Sequence, residues 1–321
     1  MKNKKILFIA PKFYNYHQEI INYMENNNAI VTFFSEDIYS SIYRISKKLL
    51  PFIAKKIKKK YVTSILENVE NNQYDIVFVI RGGILSPKSL ETMKKELPNA
   101  KFVMYQWDSN KQSNYLPIIK YFDKVQTFDK QDSKQFNIQY LPLFYTDEYY
   151  DIAVSNNQKK YDLVFFGAYH SDRLEVIKYI DKLFRENNLE FKYHLYITKL
   201  ALARFLFTGI IKLVDLKFFK TYTVDTKTII EDYKKSKAVL DIELNIQNGL
   251  TMRTFETLGS NLKLVTTNLN IKKEDFYDPS RIMDIDRNNI NIDLDFFKND
   301  IKIDKQFYKY RIKSWLISIL D

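Results

Sequence analysis

Cysteine is absent from the 321 residues, which excludes a disulfide framework and any thiolate metal site. Histidine occurs three times, at His17, His170 and His194, too scattered for a histidine-rich metal cage. Six glycines and seven prolines leave no low-complexity linker, and no repeat of solenoid length is present. Long apolar runs are missing as well. The nearest, residues 200–214, is broken by Arg204 and Lys212 and falls short of the roughly 18 uninterrupted apolar residues of a membrane span. The apolar run at residues 6–11 is too short for a secretory signal. These absences predict a cytoplasmic protein, soluble or peripheral at the inner face of the cell membrane.

What is present suits a globular enzyme-sized chain. A 45% hydrophobic and 16% aromatic composition can bury two ordinary cores. The excess of 50 Lys and Arg over 39 Asp and Glu gives a net charge of +11. Such a balance favours anionic partners, whether nucleotide phosphates, nucleic acid or acidic lipid, and does not choose among them.

Along the N-terminal part, KKILFIAP, AIVTFFSED, YDIVFVIRGG, AKFVMYQWD, DKVQTFD and IQYLPLFY read as strands with polar tips, separated by helical patterns. The pattern lapses through TDEYYDIAVSNNQKK and restarts at KYDLVFFGAYHSDR. Strands FKYHLYI, AVLDIEL and KLVTTN then alternate with helices over 174–187 and 226–236. The reading is α/β: a doubly wound parallel-sheet domain over 1–150, a second over 151–302, and a C-terminal helix over 303–321 that packs on the core or crosses back to the first domain. In that helix Phe307, Ile312, Trp315, Leu316 and Ile319 are expected on one face.

In open α/β sheets ligands sit at the carboxyl ends of strands. One candidate is GLTMRTFETLGSNLKLVTTN, from Gly249 to Asn268. If a helix starts near Leu250, Thr251 and Met252, its free N–H groups attract phosphate, Thr251 adds a hydroxyl and Arg253 a charge-assisted contact. Glu256, one turn on, either accepts two ribose hydroxyls or complements the helix N-terminus, with Arg253 solvated. The turn after YDLVFFG offers Gly167, His170, Ser171 and Arg173, as diphosphate contacts or as an ordinary helix cap.

The segment Glu256-Thr-Leu-Gly-Ser-Asn-Leu-Lys-Leu-Val265 resembles the nucleotide-sugar signature of GT-B glycosyltransferases. IRGGILSPKSL, YQWDSN, FDKVQTFDKQD, LPLFY, FFGAYHSDR, SKAVLDIELNIQNGLTMRTFETLGSNLKLVTTN and DFYDP follow the order seen in bacterial capsular and lipopolysaccharide-core transferases and the CgeB-like group. The resemblance implies two Rossmann-like domains facing a cleft, an acceptor-binding one first and a donor-binding one second. It implies transfer of a sugar from a nucleotide diphosphate donor to a glycan or lipid-linked glycan acceptor. Glu256 would hold the ribose, and the turn from Gly249 to Arg253 the diphosphate. Many retaining relatives carry a glutamate eight positions earlier; Asn248 stands there, which favours inversion.

Transfer to a hydroxyl needs a base, and Asp108 and His17 are the candidates; a turn residue and a helix-start histidine are the plainer readings. Trp107 would stack on an acceptor sugar, and Arg81 and Gly82 would hold an acidic acceptor or form a simple strand exit. No Asp-x-Asp motif ends a strand, in agreement with metal-independent transfer and no cofactor. The basic, apolar stretch YRISKKLLPFIAKKIKKKYV, from Tyr43 to Val62, either rests on anionic lipid or is a solvated lysine face over a core stripe, with a break at Pro51. Residues 199–220 carry the same ambiguity. Two other classes compete with the enzyme: a nucleic-acid-binding module using the run from Lys55 to Lys60, which no recognisable reading motif accompanies, and a non-catalytic GT-B scaffold.

Overall fold

The computed structural model describes residues 1–155, 157–244 and 249–321 and, among these, every side chain but that of Lys48. The chain divides into two compact units: Met1–Pro142 with Ile312–Asp321, and Leu143–Arg311. The first change of unit precedes the expected boundary at residue 150, which falls inside a helix.

In unit 1, strands β1 (Lys5–Ala10), β2 (Ile30–Ser35), β3 (Ile76–Ile80), β4 (Lys101–Gln106), β5 (Lys124–Thr127) and β6 (Gln139–Tyr140) form one parallel sheet in the order β2-β1-β3-β4-β5-β6. KILFIA and IVFVI are apolar almost throughout, as strands covered on both faces must be. They pair with Phe8 opposite Phe78, the two rings stacked at 5.0 Å. Around the sheet lie α1 (Tyr16–Asn26), α2 (Ser41–Leu49), α3 (Pro51–Glu70), α4 (Pro87–Glu96), α5 (Asn110–Ser113), α6 (Leu116–Ile119) and α7 (Lys130–Phe136). Pro51 opens α3 because the first turn needs no N–H there, and it forces Leu50 out of the helical region, so the basic stretch is two helices. Leu7, Val77, Val79, Leu90, Met93 and Phe102 are fully buried within one core; such a residue contributes about 1.5–3 kcal/mol.

In unit 2, β7 (Tyr161–Ala168), β8 (Phe191–Tyr196), β9 (Phe219–Lys220), β10 (Ser236–Asp241), β11 (Lys263–Thr266) and β12 (Ile282–Asp284) form a second parallel sheet, ordered β12-β11-β10-β7-β8-β9. Its helices are α8 (Asp147–Ala153), α9 (Arg173–Glu186), α10 (Lys199–Phe207), α11 (Thr226–Lys234) and α12 (Met252–Gly259). The terminal segment read as one helix is two pieces. A 3₁₀ turn, Lys305–Tyr310, buries Phe307 against Phe276 at 5.6 Å in unit 2, whereas α13 (Ile312–Leu320) belongs to unit 1. There Trp315 meets Tyr105 edge-on at 4.8 Å, and Lys101 and Lys124 donate to the carbonyls of Leu320 and Ser318 at the negative end of the helix.

Both strand orders reverse at an inner pair. Unit 1 winds outward from β1 to β2, then from β3 onward in the other direction; unit 2 does the same from β7 and from β10. At such a switch point the connections leave to opposite sides and open a crevice beyond the strands' carboxyl ends.

Candidate active site

The unit 2 switch point gathers residues that follow β7 and β10. After β7, Ser171 takes a left-handed φ of +48°, uncommon for a residue with a side chain and costing about 1–2 kcal/mol. His170 lies beside it, with Nδ1 3.0 Å from Ser171 Oγ. Burial first, then the guanidinium groups of Arg173 and Arg287, push this imidazole down to about 4. Arg253 acts in the same direction and Asp172 opposes them. Asp172 precedes α9 without making a side-chain cap, and its carboxylate is held by Arg287 at 2.7 Å.

Two buried acids, Asp241 at the end of β10 and Glu243 just past it, complete the cluster and were not singled out from the sequence. Asp241 Oδ2 accepts from the Thr251 and Thr254 hydroxyls at 2.6 and 3.0 Å, tying the N-terminus of α12 to the end of β10. Glu243 accepts from Thr267 at 2.5 Å and pairs with Arg287 at 2.6 Å; burial raises its pKa. Their one sequence signal is position, since both acids stand at or just past a strand end.

Several of the expected site residues are engaged within unit 2. Arg173 is buried and turned onto the main chain, donating through Nε to the Ile242 carbonyl at 2.9 Å and through NH1 to the Ala168 carbonyl at 2.8 Å. It clamps the end of β7 to the residue after β10. Gly167 makes room for that clamp, because a Cβ there would lie 2.9 Å from Arg173 NH1. Thr251 caps α12 and gives its hydroxyl to Asp241, not to an open anion site. Arg253 donates to the Phe166 carbonyl and stands 3.6 Å from Asp241. Leu250 and Glu256 are buried, Gly249 accepts from the Asn268 amide at 3.2 Å, and Met252 opens α12 half-buried. The reading of Asn248 lies outside the described residues.

At the unit 1 switch point, Arg81 follows β3 with φ +71° and Gly82 follows with +81°. The turn presents two N–H groups, and the buried Glu36 carboxylate after β2 occupies them, accepting from Gly82 at 3.2 Å and Gly83 at 2.6 Å. Arg81 adds Nε to Glu36 at 3.0 Å, NH2 to Asp37 at 2.8 Å and NH1 to Asp108 at 3.7 Å. In this turn Arg81 and Gly82 thus hold internal carboxylates. Asp108, two residues past β4, has its pKa raised by burial against the opposing pull of Arg81.

His17 sits in the first turn of α1, its pKa lowered by burial and by Lys12, and its buried Nδ1 has no hydrogen-bond partner. Trp107 meets Phe13 at 6.2 Å, and Phe13, Tyr14 and Tyr16 form a ring cluster in which Phe13 and Tyr14 are half or more exposed. Among the described residues no group of three or more His, Asp or Glu is arranged to hold a metal ion. Nor is any described helix long and apolar enough to cross a membrane.

No family model matches the chain, and no curated protein matches it in sequence. Solved structures do resemble it. The lipopolysaccharide outer core galactosyltransferase WaaB, in its apo form, is similar over 98% of this chain and 97% of its own, with a TM-score of 0.56 at 14% identity. A glycosyltransferase from Rickettsia africae ESF-5 matches over 99% and 97%, with a TM-score of 0.62 at 14% identity. The catalytic domain of starch synthase IV from Arabidopsis thaliana, bound to ADP and acarbose, matches over 98% and 94%, with a TM-score of 0.54 at 9% identity. At these identities the likeness is one of fold. Two six-stranded parallel sheets, each wound both ways from an inner switch point, and a likeness running end to end make this a chain of the GT-B fold.

Proposed function

We propose that the protein is a glycosyltransferase that moves a sugar from a nucleotide diphosphate donor to a hydroxyl of a surface-glycan acceptor, without a metal ion and with inversion. The observation that carries this reading is the unit 2 switch point. There His170, whose pKa burial and the guanidinium groups of Arg173 and Arg287 hold down, lies beside the start of α9, which has no side-chain cap, in the crevice where this fold class binds nucleotides. A leaving diphosphate needs stabilisation as negative charge develops on it. His170, Ser171 and the first N–H groups of α9 are its proposed contacts, with Glu256 toward the ribose.

Unit 1 supplies the acceptor side of the proposal. Asp108 is the base, because partial burial raises its proton affinity while Arg81 keeps it oriented. It takes the acceptor hydroxyl proton as that oxygen bonds to the sugar's anomeric carbon and the bond to the diphosphate breaks. His17, neutral and with an unpartnered Nδ1, is the second candidate. The exposed rings around Trp107 suit the apolar faces of sugars. The basic helices α2 and α3, with Ile42, Leu49 and Phe52 exposed by 68, 73 and 70%, are the proposed contact with an anionic membrane bearing a lipid-linked acceptor.

Thermal-shift titration with UDP, GDP, CMP and ADP and their sugar conjugates, on wild type and Glu256→Ala, tests the donor reading. A selective rise in melting temperature that the variant loses is expected, by binding linkage. No response to any nucleotide, with salt-sensitive binding to unrelated oligonucleotides, would favour the nucleic-acid module; no response to either would favour the scaffold.

A further inference from the structure

Away from the switch point, unit 2 exposes a run of large apolar side chains on one segment. α10 is followed by Gly209, whose φ of +71° turns the chain, and by the 3₁₀ turn Leu213–Phe218. One side of this hairpin is satisfied: Leu202, Phe205 and Leu206 pack on the unit 2 core. The other side exposes large apolar residues. Leu200, Phe207, Leu213 and Val214 are exposed by 84, 92, 75 and 74%. Single exposed leucines are ordinary on a soluble protein, whereas a run of them on one short hairpin marks a docking surface.

The charges around the run identify what docks. Between residues 199 and 217 the exposed ionisable side chains are Lys199, Arg204, Lys212 and Lys217, all cationic. The single acid in that span, Asp215, is buried and paired with Lys178 at 3.1 Å. We infer that the hairpin of α10 and the turn after it is a lipid-docking element: it sets Phe207, Leu213, Val214 and Leu200 into the boundary between headgroups and acyl chains of an anionic bilayer, with the four cations on lipid phosphates. At nine residues α10 is far too short to span the hydrocarbon, so it lies in the interface. A second copy of the chain suits the patch less well, since a two-fold contact would set four cations against four. This element is separate from α2 and α3, and it depends on neither the donor site nor the proposed reaction.

The absence of native cysteine permits a direct test on the full chain. Phe207→Cys, and in a second protein Val214→Cys, would carry an environment-sensitive fluorophore, with Glu186→Cys on α9 as the label outside the patch. Vesicles of phosphatidylcholine with about 30% phosphatidylglycerol should shift the first two labels to the blue, and brominated acyl chains should quench them. The α9 label should not change. Adding Arg204→Gln and Lys212→Gln should weaken partition about thirtyfold. Three results would overturn the inference: labels at 207 and 214 that stay water-like while the protein sediments with vesicles, equal partition onto pure phosphatidylcholine, or a blue shift without vesicles that grows with protein concentration. The first of these would leave the α2 and α3 reading standing; Phe52→Glu, which should abolish sedimentation in that case, tells the two apart.

Discussion

His170 carries the most specific consequence at the scale of one residue. With its pKa held to about 4, the imidazole is neutral at physiological pH. A diphosphate bound beside it favours the protonated ring, so NMR titration should show the midpoint rising when a nucleotide diphosphate is added. A midpoint that nucleotide leaves unmoved would remove His170 from the proposed donor site. The same depression fixes a sign for stability. An unfolded histidine titrates near 6.5, so between there and about 4 the unfolded chain binds the additional proton and the fold loses stability as pH falls. Urea midpoints at about pH 7 and about pH 5 should differ less in His170→Asn than in wild type.

Asp108→Asn keeps the shape and removes the proposed base. Turnover should fall by about 10²–10⁴-fold while donor affinity and melting temperature hold. The acid limb of the wild-type pH profile should lie above that of an ordinary aspartate, since burial raises this carboxyl. A profile and turnover unaltered in the variant would return the role to His17. Side chains of this kind were legible by type and strand-end position; their partners were not. Glu36 reaches Arg81 across 45 residues of sequence, and Arg287 reaches Asp172 across 115, distances no local pattern encodes.

At the scale of elements, the long apolar strands were readable because burial on both faces leaves no alternation to confuse with a helix. The short edge strands β9 and β12, of two and three residues, carry too few side chains to make a pattern. Pro51 was legible as a break, and it is where one helix becomes two. The turn at Arg81 and Gly82 shows an element held by backbone conformation. Gly82→Ala should cost about 1–2 kcal/mol for the left-handed backbone, and more because its Cβ would meet Met104 Cε at 2.8 Å. Chemical denaturation measures this, and an unchanged midpoint would mean that the turn relaxes freely. The carboxylate that ties α12 to β10 invites the matching experiment. Asp241→Ala leaves the Thr251 and Thr254 hydroxyls without their acceptor and should cost about 1–3 kcal/mol.

For the whole molecule, the two-unit α/β organisation follows from composition and strand order, but the assignment of the terminal segment does not. Phe307 and Trp315 look equivalent on a helical projection, yet they serve different cores, because the 3₁₀ turn ends before α13 begins. Removing residues 312–321 should therefore strip hydrogen-exchange protection from β3 and β4 and leave that of β7 and β10 intact. Equal loss in both units would contradict the division.

The return of α13 to the unit that holds Met1 also sets an order of synthesis. A ribosome must deliver all of residues 143–311, roughly ten to thirty seconds of elongation, after the strands of unit 1 have emerged and before the helix that covers Tyr105 and Phe78 is available. The nascent chain can complete its second unit while its first is still open.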